Sequence, residues 1–238
     1  MAGGHNAPPR GPVSFDAEGQ PIYGPRDVVD LEKLADFKLP FWLAGAYAGP
    51  GQLAQARQLG AAGIQVGSAF ALCEESGFDP SLKRAFIEGA LAGTLHVRTD
   101  SLASPTGFPF KVADLPGTVA DPEVYDQRRR ACEAGYLRVP YRAEDGEIGY
   151  RCPAEPAAAY VRKGGKIEDT VGRRCVCNGL IAAIGLGQRH SDHALEPALA
   201  TIGQDLSFLP ELLGPGQESY HAADVVEYLL RGTARGSP

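Results

Sequence analysis

The side chains and backbone groups best suited to chemistry fall in three short segments: Gly3-Gly4-His5, Ala44-Gly45-Ala46-Tyr47 and Gln65-Val66-Gly67-Ser68. The last two each end a short apolar run, and a helix-like stretch separates them. Glycine lets a backbone approach a ligand closely, and N–H groups that open a following helix point at an anion. Two such turns in succession are what a (β/α)₈ barrel uses to hold a phosphate in its last loops. In that arrangement the N–H groups of Gly45 and Ala46 face the phosphate from one loop. Gly67 N–H and the Ser68 hydroxyl and N–H face it from the other, and Gln65 bonds the cofactor or an adjacent loop. An imidazole such as His5 suits removal of a proton from carbon near neutral pH. The alternative for His5 is a solvated side chain near a terminus.

Four of the five cysteines, Cys132, Cys152, Cys175 and Cys177, lie in the second half of the chain. Four thiolates could hold zinc or an iron–sulfur cluster. The Cys175-x-Cys177 spacing is not the two-residue knuckle of a zinc ribbon, however, and the other two are about twenty residues apart. Buried or lightly reactive thiols are the reading taken, with no metal expected. His190 and His193, flanking Asp192, read as exposed residues of a polar loop. Arg128-Arg129-Arg130 reads as an exposed helix face.

The elements that must position the glycine turns follow from periodicity and punctuation. Val28, Val29, Leu31, Leu34 and Phe37 recur at helical spacing across 27–38. A strand is expected over 39–45, then a helix from Pro50 or Gly51 to Leu59, with Gly60 at the C-terminal cap position. A second strand follows over 62–67, then a segment Ser68–Glu75 and a helix from Pro80 to about Ala92. Thr94–Val97 could add a short strand. Residues 11–25 read as an extended loop with room for a small hairpin, and Asp224–Leu230 as a last short helix. Helix–strand–helix–strand–helix order implies parallel strands. Two strands cannot close a barrel or cover both faces of a parallel sheet. The chain therefore reads as the later part of a TIM (β/α)₈ barrel, about two to three strands over residues 1–98. An irregular α+β extension is expected over 99–238. A chain opening on a Gly/Pro-rich loop looks cut, and the missing strands are expected from an upstream half in trans or from self-association.

Composition narrows the rest. At 44% hydrophobic and 22% charged residues the chain has a globular make-up. A net charge of −6 argues against nucleic acid, whose phosphates call for clustered Lys and Arg. No apolar run approaches the roughly 18 residues that span a bilayer. With no apolar core after Met1 and an odd cysteine number, a cytoplasmic, reducing location is the expectation.

Gly3-Gly4-His5, the Ala44-Gly45 turn and Gln65-Val66-Gly67-Ser68 together resemble the later part of the nitronate monooxygenase family, formerly 2-nitropropane dioxygenases. Residues 104–112 and Arg174-Cys175-Val176-Cys177-Asn178-Gly179-Leu180 resemble a bacterial subgroup of that family. The resemblance implies an FMN-dependent barrel that oxidises alkyl nitronates with O₂, with His5 as catalytic base. It places the flavin phosphate against Gly45, Ala46, Gln65, Val66, Gly67 and Ser68, and Gly3 or Gly4 near the isoalloxazine or ribityl chain. Two positions depart from the family pattern. Gly45-Ala46 stands where Gly-Gly is frequent, which a methyl tolerates at negative φ, and Ser68 stands where Thr is usual. Flavin-dependent enoyl-acyl carrier protein reductases share the barrel and provide the alternative activity. A catalytically silent barrel subunit is the non-enzymatic alternative.

Overall fold

The computed structural model describes residues 6–191 and 194–231. In chain order the helices and strands are α1 (Leu31–Asp36), β1 (Trp42–Ala44), α2 (Gln52–Gln58), β2 (Gly63–Gln65), α3 (Ser68–Ala71) and α4 (Pro80–Leu91). They continue with β3 (Val97–Asp100), β4 (Phe110–Ala113), α5 (Pro122–Gln127), β5 (Val139–Arg142) and β6 (Ile148–Arg151). The last are α6 (Ala157–Arg162), α7 (Val176–Ala182), α8 (Leu209–Leu212) and α9 (Ala222–Leu230). The fold is mixed α/β, and each sheet among the described residues has two strands. No helix among them is long and apolar enough to cross a membrane.

The described chain divides into two compact units that are interleaved in sequence. Residues 23–95 and 202–231 form one, and residues 6–22, 96–191 and 194–201 form the other. The division at 95/96 falls close to the expected boundary at 98, but the segment from 202 onward returns to the first unit instead of extending the second.

In the first unit β1 and β2 pair in parallel, with Trp42 opposite Gly63, Leu43 opposite Ile64 and Ala44 opposite Gln65. Glycine at 63 leaves room for the Trp42 ring that lies against it. A Cβ there would sit 3.1 Å from the indole Cδ1. Helix α2 follows β1, buries Ala56, and ends at a left-handed Gly60 (φ 86°), as its sequence position requires. Helix α4 starts where Asp79 caps it: its carboxylate accepts from Ser81 N–H at 2.9 Å and Leu82 N–H at 3.4 Å, with Pro80 in the first turn. The core of this unit gathers Leu72, Phe86, Ile87, Ile202, Phe208, Leu209, Val225 and Tyr228. Much of that core comes from the returning segment.

The second unit is antiparallel. β3 pairs with β4, placing Val97 opposite Ala113, and β5 pairs with β6, placing Val139 opposite Arg151. Its core is built from Ala103, Phe110, Val112, Val119, Ala120, Tyr125, Val176 and Leu199. An isolated bridge between Phe15 and Pro21 is the remnant of the expected small hairpin.

Several expectations are corrected here. The strand expected near Thr94–Val97 is β3, which pairs antiparallel with β4 and so cannot continue the parallel β1–β2 sheet. No closed barrel forms among the described residues. The helix expected over 27–38 shortens to α1, because Asp30 caps it by accepting from Lys33 N–H at 3.2 Å. The arginine run is not a helix face: α5 stops at Gln127, and Arg128 continues in extended backbone. Its side chain is only 2% exposed and lies 3.5 Å from a fully buried Glu196 carboxylate.

Candidate functional site

The two glycine turns emerge side by side. Because Ala44 is opposite Gln65 in a parallel ladder, both chains leave their strands at the same end of the sheet. This is the carboxyl end, where open α/β sheets bind ligands. The turn after β1 places Gly45 at φ 88° and Ala46 at φ 54°. Ala46 thus occupies the left-handed region and not the negative φ at which a methyl is tolerated, and its Cβ costs roughly 1–2 kcal/mol there. The chain then reaches Gly51 (φ 78°), whose N–H donates to Arg231 O at 3.1 Å, before α2 begins.

After β2, Val66 leads to Gly67, which precedes α3 with φ −111°. A side chain would therefore be tolerated by the backbone at Gly67, so glycine there is a matter of access and not of conformation. Ser68 opens α3. Its hydroxyl oxygen accepts the Gly203 N–H at 3.0 Å and keeps its own proton free to donate elsewhere. Tyr220 O–H donates to Ala69 O at 2.7 Å and pins the same short helix from below. Burial of that phenol pushes its pKa up, so it stays a donor.

Gly45, Ala46 and Gln65 are exposed, and Val66, Gly67 and Ser68 are half-buried. A Cβ placed on Gly45 would meet nothing within 4 Å. The space beside Gly45 is therefore open. Gly3, Gly4 and His5 lie outside the described residues, as do Asp192 and His193. A groove elsewhere on the same unit, between Phe78, Lys83, Ile87 and Gln217, includes none of the turn residues.

Gly203 and Tyr220 were not legible as site residues. Neither stands in a recognisable motif, and each reaches α3 only through the return of a distant segment. Gly203 has a steric reason as well: a Cβ there would lie 2.6 Å from Ser68 Oγ.

In the second unit, His190 is corrected from exposed to buried. Its Nε2 lies 3.1 Å from the Glu196 carboxylate, and Gln188 Nε2 is 3.2 Å from its Nδ1. Gln188 in turn accepts from Asn178 Nδ2 at 3.2 Å. Burial pushes the Cys152 thiol up to about 11 and raises Cys175 and Cys177 in the same direction. As free groups they are neutral thiols and poor nucleophiles.

Comparison with protein-family models, curated proteins and solved structures finds no match to this chain.

Proposed function

We propose that the chain is part of an FMN-dependent oxidoreductase of nitronate monooxygenase type, with the first unit as the later portion of a (β/α)₈ barrel. One observation carries the reading: two glycine-bearing turns leave adjacent parallel strands in register, at the carboxyl end of the sheet. The N–H groups of Gly45, Ala46, Gly67 and Ser68, with the Ser68 hydroxyl, are the donors that would hold the flavin phosphate. Such donors are fixed before the anion arrives, which lowers the ordering cost of binding. Gln65 and Val66 would lie against the same phosphate, with Gly3 or Gly4 near the isoalloxazine or ribityl chain. The flavin supplies the redox chemistry, and the chain supplies position and a base. In this reading His5 removes the α-proton of a neutral nitroalkane to give the alkyl nitronate, which is the species oxidised with O₂.

The uncovered β1 supports the matching view of partners. A parallel strand is ordinarily buried on both faces. Here Trp42 is 57% exposed, and Phe37 and Leu39 beside it are about 70% exposed. We infer that the remaining barrel strands, from a separate half or a second copy, cover this edge.

The test is oxygen uptake with a neutral nitroalkane, and with its preformed nitronate as the control that bypasses the base, FMN present, for the native chain with its barrel complement and for His5→Ala. The variant should keep its bound yellow flavin and lose roughly 10²–10⁴-fold in turnover of the nitroalkane. Turnover that needs NAD(P)H and an acyl thioester instead of nitronate would favour the enoyl reductase alternative. Unchanged nitroalkane turnover in His5→Ala would remove the base assignment.

A further inference from the structure

We propose that Arg130 and Arg174, gathered around the Tyr125 ring in the second unit, bind a dianionic phosphoryl group, either free phosphate or the phosphate of a small organic ester. Three guanidinium carbons lie over this one ring. Those of Arg128, Arg130 and Arg174 are 5.0, 4.7 and 4.6 Å from its centre. Every other tyrosine ring in such a contact among the described residues carries a single guanidinium. One cation over a ring is favourable, but like charges converging on the same ring repel one another, and an anion among them relieves the repulsion. Tyr125 stands in α5, with Arg128 and Arg130 just beyond its end. Arg174 arrives from the segment before α7, and its backbone is fixed on both sides. Its N–H donates to Ala103 O at 2.8 Å, and its carbonyl accepts Val176 N–H at 3.0 Å.

The counter-charges fall short of the cations. Glu196 lies 3.5 Å from Arg128, and Asp126 lies 3.2 Å from Arg130. Arg174 forms no ion pair among the described residues, and its buried Nε meets no hydrogen-bond partner there. Burial lowers its pKa, yet a guanidinium remains charged near neutrality. Two more donors of the cluster are buried without a partner: Tyr125 Oη, on a residue 5% exposed, and Arg128 Nε, on a side chain 2% exposed. Buried donors are ordinarily bonded, and phosphoryl oxygens are strong acceptors for guanidinium groups. Asp126 marks the way in. Its side chain is 73% exposed and that of Arg130 is 30% exposed, so this pair forms the solvent-facing edge. Surface pairs of this kind are weak. When an incoming anion displaces Asp126, the charges of Arg130 and Arg174 remain, while Glu196 still neutralises Arg128. A dianion balances those two charges, whereas a single carboxylate leaves one uncompensated. Asp100, the other carboxylate whose charge Arg174 feels, is already held by Arg98 at 3.7 Å and by the N–H groups of Leu102 and Ala103 at 2.8 and 2.9 Å.

Binding is measured by isothermal titration calorimetry at fixed ionic strength and slightly alkaline pH, with inorganic phosphate, phenyl phosphate and acetate as probes. The proposed flavin turns offer phosphate a second place, so each titration is repeated in Gly67→Val. The expected binding survives Gly67→Val and weakens roughly tenfold or more in Arg174→Gln. Tyr125→Phe, which keeps the ring and removes the hydroxyl, should weaken it by a smaller factor. Asp126→Asn changes only an exposed side chain. By removing the competing carboxylate it should strengthen binding about two- to fivefold, a gain that a purely structural Asp126 would not give. Tighter binding of phenyl phosphate than of the free ion identifies an ester as the ligand, and the reverse order identifies free phosphate. Binding lost in Gly67→Val but kept in Arg174→Gln would assign the phosphate to the turns and overturn the proposal. Acetate held as tightly as phosphate, or weaker binding in Asp126→Asn, would overturn it equally.

Discussion

At the scale of single residues, the contrast between Gly67 and Gly45 separates two jobs that glycine does. Gly45 is required by a left-handed backbone, whereas Gly67 has an ordinary negative φ. Ala46 holds a left-handed conformation with a methyl attached. Ala46→Gly should therefore stabilise the protein by about 1 kcal/mol, a rise of roughly 2–4 °C in melting temperature. Thermal denaturation followed by circular dichroism would show it, and an unchanged midpoint would mean that the strain is absent. The glycines themselves were legible, since each follows a short apolar run. The φ of Ala46 was not, because nothing in a tetrapeptide fixes the sign of one dihedral. The burial of Arg128 and His190 was equally hidden. Their partner, Glu196, is far along the chain from Arg128, and a charged side chain reads as solvated until its counter-charge is seen.

At the scale of elements, local signals did well where a cap or a turn is made by neighbours. Asp79-Pro80 starts α4 and Gly60 ends the turn after α2, both as composition suggests. Asp79→Ala should cost about 1 kcal/mol through loss of the cap, read as a shift of the urea midpoint at constant slope. Local signals failed where the partner strand decides. Val97–Asp100 has the composition of any short strand, and only Phe110–Ala113 makes it antiparallel. The N-terminus of α9 gives a pH prediction. Glu75 accepts Ala222 N–H at 2.8 Å, and that bond holds its pKa at about 2 instead of the usual 4.5. A carboxyl with a lowered folded-state pKa contributes stability above its unfolded value and loses it as pH falls toward the folded one. The anchorage of α9 should thus be complete above about 4.5 and fade as pH drops toward about 2. Glu75→Gln should flatten that part of the stability–pH curve, and a curve identical to the parent's would refute the anchorage.

At the scale of the whole molecule, the β/α order was readable but the interleaving of the two units was not. Residues 202–231 supply Ile202, Phe208, Leu209, Val225 and Tyr228 to the core of the first unit, across a long separation in sequence. No periodicity announces such a return. The apolar surface at Phe37, Leu39 and Trp42 is the other large-scale feature, and it leaves β1 as an open edge. If that edge takes further strands, the isolated chain should associate with rising concentration in sedimentation velocity. Phe37→Lys with Leu39→Lys should suppress the association without lowering the melting temperature. A monomer at all concentrations would argue against self-association as the way the edge is covered.

The central claim is that two neighbouring backbone turns bind a flavin through its phosphate, and a paired titration tests it most directly. The protein is titrated with FMN and with riboflavin, which lacks the phosphate, while flavin fluorescence is followed in the native chain and in Gly67→Val. Loss of one or more charge-assisted hydrogen bonds, worth about 1.5–3 kcal/mol each, corresponds to roughly ten- to hundredfold in affinity. The native chain should bind FMN more tightly than riboflavin by at least that factor, and Gly67→Val should erase the difference while leaving the fold intact. Equal affinity for the two flavins, or a preference for FMN that survives Gly67→Val, would contradict the account.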